Sequence, residues 1–335
     1  MIAQRVERGV YERKAEAMTG TANDPLCYFG GEFIPLSEAK VSVMTHAFNY
    51  GTGCFEGIRG YWNEEEGELY LFHLKAHYER LIRSCKTLMI DLKKSADELC
   101  DLTVDLMRRN DARYDIYIRP LAYKDSLELG PRINIDADAL TIYTRPLGNY
   151  LDTDKGLKAC VSSWVRVEDN AAPARAKITG IYINSALART EAELNGYDEA
   201  IMLSSDGHVS EGSAENLFVV DNGALVTPPG ANNILVGITR ATVIALASDL
   251  GIPVIERQID RSELYGVSEL FLCGTGAQIS PVTSVDHRPI GTGAVGPVTR
   301  RLQEVFFKAV RGNLPAHRDW CTPVYAGART LAAAR

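Results

Sequence analysis

The chain has 335 residues, of which 46% are apolar and 24% are charged, as in an ordinary soluble globular protein. This length predicts two domains, because a single hydrophobic core rarely grows to that size. The net charge of −7 argues against a nucleic acid or an anionic membrane as partner.

The seven cysteines are dispersed, and no two of them form a C-x-x-C pair. This pattern favours reduced thiols in a cytosolic protein over a disulfide framework or a zinc site. No apolar stretch approaches the roughly 18 residues of a membrane span, and the N-terminal segment lacks the apolar core of a signal peptide. His73 and His77 have a metal-compatible spacing but no third ligand, so we interpret them as surface residues and predict no metal site.

The first half of the chain predicts strands and one amphipathic helix. Residues 1–24 are predicted to be a polar arm. A hairpin follows in CYFGGEFIPLSEAKVSVM, with its turn at Gly30-Gly31. The stretch LFHLKAHYERLIRSCKTLMI has the apolar stripe of a helix, and DIYIRPLAY and ALTIYTRPL are typical of short strands.

The second half begins after a predicted linker at 146–156, which contains two glycines and a proline. The domains are accordingly predicted at 1–145 and 157–335. A strand is expected in KACVSSWVRV, a helix over 183–194, and hairpin turns at Asp206-Gly207 and Asn222-Gly223. A second helix is expected in VGITRATVIALASDLG. These elements predict two mixed α/β domains around a cleft.

One lysine, Lys177, has an unusual setting in ARAKITGIYINSA, where no charged residue follows before Arg189. Desolvation there would favour the free amine that a Schiff base requires. The later loop SEGSAENLF contributes two carboxylates, Glu211 and Glu215. A reactive lysine with a buried acid indicates a pyridoxal phosphate site, the acid facing the pyridine nitrogen. The alternative is a lysine whose stem packs on the core while its amine reaches water.

Three features could bind a phosphate. In LVGITRAT, Gly237, Ile238 and Thr239 open a helix whose N–H groups attract anions. Arg80 in HYERL could add a cation, and the strand LFLCGTGAQISPV ends in Gly-Thr-Gly. Each feature has a structural alternative: a routine helix start, a solvated arginine and a plain turn. The Rossmann glycine pattern is absent from the strand, so a nicotinamide site is poorly supported.

Arginines beside aromatic residues form a second pattern. Tyr117 and Arg119 alternate in DIYIRP and so share a strand face, and Arg59 follows Phe55 in NYGTGCFEGIRGY. Such groups suit a carboxylate clamp next to an apolar pocket. Structural stacking of arginine on tyrosine is the competing interpretation.

From about Cys27 to Val324 the chain resembles the branched-chain amino acid aminotransferases, pyridoxal phosphate enzymes of fold type IV. The matching motifs are HAFNYGTGCFEGIRGY, HYERL, YIRPL, ARAKITGIYINS, SEGSAENLF, VGITR and CGTGAQISPV. The resemblance implies a mixed α/β fold with a smaller N-terminal domain, a larger C-terminal domain and the cofactor in the cleft between them.

The resemblance also implies roles for individual residues. Lys177 would carry the cofactor, Tyr182 would contact its phenolic oxygen, and Glu211 would pair with the pyridinium nitrogen. The implied cofactor-binding residues are Arg80, Lys177, Tyr182, Glu211, Gly237, Ile238, Thr239 and Thr275. The implied substrate-binding residues are Tyr50, Phe55, Arg59, Tyr117, Arg119, Leu147, Tyr150, Gly276 and Ala277. Leu147, Gly276 and the loop YKDSLELGPR differ from the usual family residues, and all three concern substrate selection.

The implied function is transamination between L-leucine, L-isoleucine or L-valine and 2-oxoglutarate, by a cytoplasmic homodimer or a higher homo-oligomer. The partner's site is expected to receive the loop around residues 124–131. Three alternatives remain open: an (R)-selective amine or D-amino acid transaminase, an aminodeoxychorismate lyase, and a ligand-binding protein without catalysis.

Overall fold

The computed structural model describes residues 24–148, 151 and 154–326. An antiparallel β-sheet and a mixed β-sheet, with helices packed against them, form the body of the protein. The first sheet begins with β1 (Leu26–Phe29), β2 (Glu32–Pro35), β3 (Gly53–Phe55), β4 (Ile58–Asn63), β5 (Glu68–Phe72), β6 (Ile116–Lys124) and β7 (Asp138–Pro146). Its strands are antiparallel neighbours in the order β5-β4-β6-β7-β1-β2, with β3 beside β6.

The second sheet has the order β10-β9-β8-β15-β14-β11-β12-β13, with β16 beside β15. Its strands are β8 (Leu157–Val161), β9 (Glu199–Leu203), β10 (Val209–Gly212), β11 (Asn216–Asp221), β12 (Ala224–Thr227), β13 (Val254–Glu256), β14 (Glu269–Gly274), β15 (Gln278–Val285) and β16 (Arg288–Pro289). Strand β8 lies parallel to both of its neighbours, β9 and β15, whereas most other pairs are antiparallel.

The helices pack on these sheets. They are α1 (His46–Tyr50), α2 (Leu74–Thr87), α3 (Ala96–Arg109), α4 (Tyr182–Leu194), α5 (Ile238–Asp249) and α6 (Pro297–Val310). Short 3-10 turns occupy Leu36–Glu38, Thr179–Ile181, Arg261–Tyr265 and Pro315–Trp320. None of the helices in the described ranges has the length and apolar character that a bilayer crossing requires.

Local sequence signals place most of these elements where we predicted them. The turn at Gly30-Gly31 joins β1 to β2, and the turn at Asn222-Gly223 joins β11 to β12. All four of these residues have a positive φ, which glycine and asparagine tolerate best. The helix expected over 183–194 is α4. The strand expected in KACVSSWVRV is shorter than predicted, because β8 ends at Val161.

The predicted division at residues 146–156 stays a prediction, and two contacts cross it. The last strand, β17 (Cys321–Pro323), pairs with β5 in the first sheet. The segment around Lys177 also returns to the first sheet, where the Phe55 amide donates to the Lys177 carbonyl at 3.0 Å. Ile178 packs in the same apolar core as α2 and α3. Residues that follow the predicted linker thus pair and pack with the first sheet.

Candidate active site

A cavity of about 920 Å³ lies between the two sheets. It collects fourteen of the residues to which the resemblance gives a role, from segments far apart in the chain. These are Phe55, Arg80, Tyr117, Arg119, Leu147, Lys177, Tyr182, Glu211, Gly237, Ile238, Thr239, Thr275, Gly276 and Ala277.

Lys177 projects its amine into this cavity. Its Nζ donates a hydrogen bond to the Tyr182 hydroxyl at 2.7 Å and lies 5.0 Å from the centre of the Phe55 ring. The backbone is anchored on both sides, because its amide also donates to Ser84 Oγ at 3.1 Å. Within the described ranges no carboxylate lies close enough to form an ion pair with the amine. The side chain is therefore held in place by its backbone and by Tyr182, and its amine is not part of a structural salt bridge.

Glu211 is a buried carboxylate with a cationic partner. Its Oε1 lies 2.9 Å from Nε of Arg166, and its Oε2 accepts hydrogen bonds from Asn216 Nδ2 at 3.1 Å and from the Leu235 amide at 3.2 Å. Burial raises the pKa of Glu211, and the charge of Arg166 and the Leu235 amide oppose that rise. Arg166 lines the same cavity. Our reading of the sequence missed it, because it lies beyond the end of β8 without a motif around it.

Glu215, four residues further on, has a different environment. It is also buried and accepts a hydrogen bond from the Ala214 amide at 3.0 Å. Burial and the nearby carboxylate of Glu199 raise its pKa to about 8. Glu199 is itself paired with Arg189. This raised pKa favours the protonated form of Glu215 at neutral pH, whereas Glu211 forms an ion pair with Arg166.

The start of α5 borders the cavity and is the predicted phosphate-binding helix end. Gly237 occupies the N-cap position, and no side chain caps the helix there. The amides of the first turn, including those of Ile238 and Thr239, are thus oriented toward the cavity as potential donors. A side chain at position 237 would not fit, because its Cβ would come within 2.0 Å of Asn216 Oδ1.

Arg80 on α2, the predicted cation for a phosphate, lines the same cavity. Its guanidinium donates to both carboxylate oxygens of Glu56, from Nε at 2.7 Å and from Nη2 at 2.8 Å, and Nη1 donates to the Val236 carbonyl at 3.2 Å. His77 contacts Glu56 as well, at 2.7 Å. Burial alone would raise the pKa of Glu56, but the charge of Arg80 and the hydrogen bonds from Arg80 and His77 lower it well below its usual range.

The prediction that His77 lies on the surface was wrong. Its side chain is buried against Glu56 because α2 turns this face toward the first sheet. In the described part of the chain, no group of three or more histidine, cysteine or carboxylate side chains is arranged to hold a metal ion.

The opposite wall of the cavity carries Tyr117 and Arg119 from β6. Arg119 donates to the Tyr117 hydroxyl from Nε at 3.2 Å and from Nη2 at 2.8 Å, and its guanidinium lies 4.6 Å from the centre of the Phe55 ring. Both interpretations of this pair, carboxylate clamp and structural stacking, remain open on these contacts.

Two of the predicted substrate residues that the structure describes do not line this cavity. Tyr50 is 41% exposed and accepts a hydrogen bond from the Gly130 amide, outside the cavity. Arg59 is 2% exposed and donates to the carbonyls of Leu147, Gly148 and Gly276, so it holds two wall segments together from behind. Tyr150 lies outside the described residues. Substrate contact by these residues stays a prediction.

The residues in the cavity fit pyridoxal phosphate. Lys177 offers an amine without a carboxylate partner, and Glu211 offers a buried carboxylate for a ring nitrogen. Arg80 and the uncapped first turn of α5 offer donors for a phosphate. These groups match the aldehyde, the pyridine nitrogen and the phosphate, the three polar ends of the cofactor.

Comparison with known proteins identifies the family. Residues 53–285 match the family model for amino-transferase class IV. A probable branched-chain-amino-acid aminotransferase from Aquifex aeolicus (strain VF5) is 50% identical over 299 residues, which are 89% of this chain and 96% of the relative.

Solved structures agree with this result. The branched-chain aminotransferase of Thermoproteus uzoniensis with norvaline aligns with a TM-score of 0.84 and 44% identity, over 90% of this chain and 99% of that one. The pyridoxal phosphate form of the Thermobaculum terrenum enzyme aligns with a TM-score of 0.87 and 41% identity, over 91% and 99%. The predicted mixed α/β fold of type IV is confirmed. The chain belongs to the class IV aminotransferases and, within them, to the branched-chain-amino-acid aminotransferases.

Proposed function

We propose that this protein is a pyridoxal phosphate-dependent transaminase that exchanges amino groups between branched-chain L-amino acids and 2-oxoglutarate. The observation that carries the proposal is the shared cavity. The Lys177–Tyr182 pair, the Glu211–Arg166 pair, Arg80 and the first residues of α5 all line this one volume. The names of the relatives support the choice of substrates.

Each residue then has a defined task. When bound, the cofactor supplies an electron sink for the pair released at the substrate Cα. Lys177 is placed to hold and move the Cα proton, and the Tyr182 hydroxyl orients its Nζ. Glu211, held by Arg166, presents a carboxylate to the ring nitrogen. Arg80 and the first turn of α5 bind the phosphate.

The two substrates make opposite demands on one pocket, since a leucine side chain is apolar and that of glutamate is charged. Phe55 and Leu147 offer apolar surface in the cavity, and Arg119 lies over the Phe55 ring. Arg59 is committed to backbone carbonyls, so Arg119 is the better candidate to hold the second carboxylate.

We also propose a homodimer whose partner borders this site. Large apolar side chains lie exposed just before α1, on α1 and in the loop after β6: Val43 is 76% exposed, Phe48 71% and Leu129 81%. Apolar surface of this kind often marks a protein interface. A second cavity of about 950 Å³ in this region shares Leu121 and Thr179 with the active-site cavity. A partner seated there would reach the substrate.

Only part of the predicted partner loop at 124–131 is available for contact with a partner. Lys124 is fully buried, and its Nζ donates to the Met89 carbonyl and to Asp138 at 2.6 and 2.5 Å. Leu127 and Leu129 are exposed instead, so they are the residues that we expect a partner to contact. Phe48→Glu with Leu129→Glu should give monomers in sedimentation experiments, and Leu194→Glu on α4 should not. An unchanged dimer in the double variant would contradict this interface.

We also propose a cytoplasmic location, which the seven free cysteines favour.

A panel of half-reactions tests the function. The cofactor-loaded enzyme is mixed separately with L-leucine, L-glutamate, D-alanine and (R)-1-phenylethylamine, and loss of the visible cofactor band is followed. We expect a rapid loss with L-leucine and L-glutamate only. Reaction with D-alanine or the (R)-amine would favour the amine or D-amino acid transaminase, and pyruvate release from aminodeoxychorismate would favour the lyase. A stable band with every amine would indicate a protein that only binds the cofactor.

A further inference from the structure

Strand β7 carries two residues that face the same cavity as Tyr117 and Arg119. In the antiparallel β6–β7 pair, Tyr117 lies opposite Arg145, and Arg119 lies opposite Tyr143. Residues opposite each other in such a pair project to the same face, as do residues two positions apart on one strand. The four side chains therefore alternate, tyrosine and arginine, over one face, and all four line the cavity.

The arginines of this cavity differ in their partners. Arg80 is paired with Glu56, and Arg166 is paired with Glu211, so each of these charges is balanced by a buried carboxylate. Arg119 donates to the neutral hydroxyl of Tyr117. Arg145 is exposed, and in the described ranges no carboxylate forms an ion pair with it. Among the arginines of this cavity, the two without a carboxylate partner in the described ranges are thus those of β6 and β7.

Arg119 and Arg145 differ in how far they lie from solvent. Arg119 is partly buried, and two of its donors are already directed at Tyr117. Arg145 is exposed and lines both the active-site cavity and the adjoining apolar cavity, so it lies at the rim between them. A guanidinium at a rim attracts carboxylates over a distance and can hold one in a bidentate contact.

We propose that Arg145 is a second carboxylate-binding residue of the substrate site and that it favours dicarboxylate substrates over monocarboxylate ones. This inference rests on the proposed function, which requires the site to accept both kinds. An aliphatic amino acid brings one carboxylate, whereas L-glutamate and 2-oxoglutarate bring two. Only the second kind gains from an additional cation near the end of its side chain.

The test uses non-reacting analogues with the cofactor-loaded enzyme. Dissociation constants for glutarate and 4-methylpentanoate are measured by calorimetry, at low and at high salt. The proteins are wild type, Arg145→Gln, Arg145→Lys and the control Arg301→Gln, whose arginine is exposed on α6. Half-reaction rates with L-glutamate and L-leucine are measured in parallel, as are unfolding temperatures.

For Arg145→Gln we expect glutarate binding to weaken roughly two- to fivefold at low salt, the range of an exposed ion pair, and less at high salt. Binding of 4-methylpentanoate should stay unchanged. Arg145→Lys should retain most of the affinity for glutarate, and Arg301→Gln all of it. Equal weakening of both acids, or unchanged binding of glutarate, would overturn the proposal. Wild-type enzyme that fails to react with L-leucine and L-glutamate would instead overturn the proposed function, so the two failures are distinguishable.

Discussion

Both carboxylate oxygens of Glu56 accept hydrogen bonds from the Arg80 guanidinium, Oε1 from Nε at 2.7 Å and Oε2 from Nη2 at 2.8 Å. Both side chains are buried. A guanidinium has five N–H donors, and three of them are used here, two by Glu56 and one by the Val236 carbonyl. Two donors therefore remain for an anion at the start of α5. If Arg80 binds the cofactor phosphate as proposed, its guanidinium is already oriented, which reduces the entropic cost of binding.

Replacing Glu56 should affect both cofactor binding and stability. Glu56→Ala leaves the Arg80 charge buried and unpaired, so we expect the free energy of unfolding to fall by about 3 kcal/mol or more. Glu56→Gln keeps the shape and one acceptor, so it should fold better yet bind pyridoxal phosphate roughly tenfold more weakly. Urea denaturation of cofactor-free protein and a cofactor titration measure the two effects.

The control for this pair is Asp97→Asn, which removes an exposed partner of Lys75 and should change neither quantity. The pH dependence gives an independent check. Because the folded pKa of Glu56 lies below its unfolded value, its contribution to stability is complete above the unfolded pKa and is lost as the pH falls toward the folded pKa. Glu56→Gln should therefore lose less stability than wild type on acidification.

Lys177→Ala should abolish turnover without unfolding the protein, because among the described residues its Nζ makes a single hydrogen bond, to Tyr182. The variant should still bind the cofactor through Arg80 and α5. Borohydride reduction of the wild type followed by peptide mapping should label Lys177, and Lys158→Ala, an exposed lysine on β8, should behave as wild type. Label on any other lysine would refute the assignment.

Glu211→Gln should slow catalysis more than it weakens cofactor binding. A charge-assisted contact is worth about 1.5–3 kcal/mol, which corresponds to a roughly ten- to hundredfold lower rate. Glu215→Gln should be nearly silent at neutral pH, because Glu215 is already protonated there. Single-turnover rates with L-leucine compare the two variants. A greater loss in Glu215→Gln would show that the other acid faces the cofactor.

Glu215 also predicts a pH dependence of stability. Its folded pKa is raised to about 8 by burial and by Glu199, whereas an unfolded glutamate titrates near 4.5. Between these values the folded state binds the extra proton, so this group makes stability fall as the pH rises. Glu215→Gln should remove that part of the decline, measured as unfolding free energy between pH 5 and about 8. Parallel curves for variant and wild type would contradict the assignment.

Arg119→Ala should damage the half-reaction with L-glutamate much more than that with L-leucine, because only glutamate has a second carboxylate. The expected loss for glutamate is about 1.5–3 kcal/mol in transition-state stabilisation, and that for leucine is several-fold at most. The contact with Tyr117 allows a different outcome. Equal losses would mean that Arg119 only braces Tyr117, and single-turnover rates with both amino acids decide the question.

The sequence by itself determined the features that local chemistry controls. The positive-φ turns at Gly30-Gly31 and Asn222-Gly223 lie where glycine and asparagine predict them. The uncapped helix start at Gly237 and the carboxylate-free setting of Lys177 were likewise visible, because each depends on neighbours within a few residues. The motifs then indicated the family, which the comparisons confirmed.

Only the tertiary structure decided which charges balance one another. Arg166 meets Glu211 from 45 positions away in the chain, and Arg80 meets Glu56 across 24 positions. The aromatic neighbours of Arg59 in the sequence suggest a substrate-binding arginine. In the folded protein its guanidinium instead donates to backbone carbonyls. A charge acts over a few ångströms through a buried, weakly screening medium, so its partner is set by distance in space, which chain spacing does not encode.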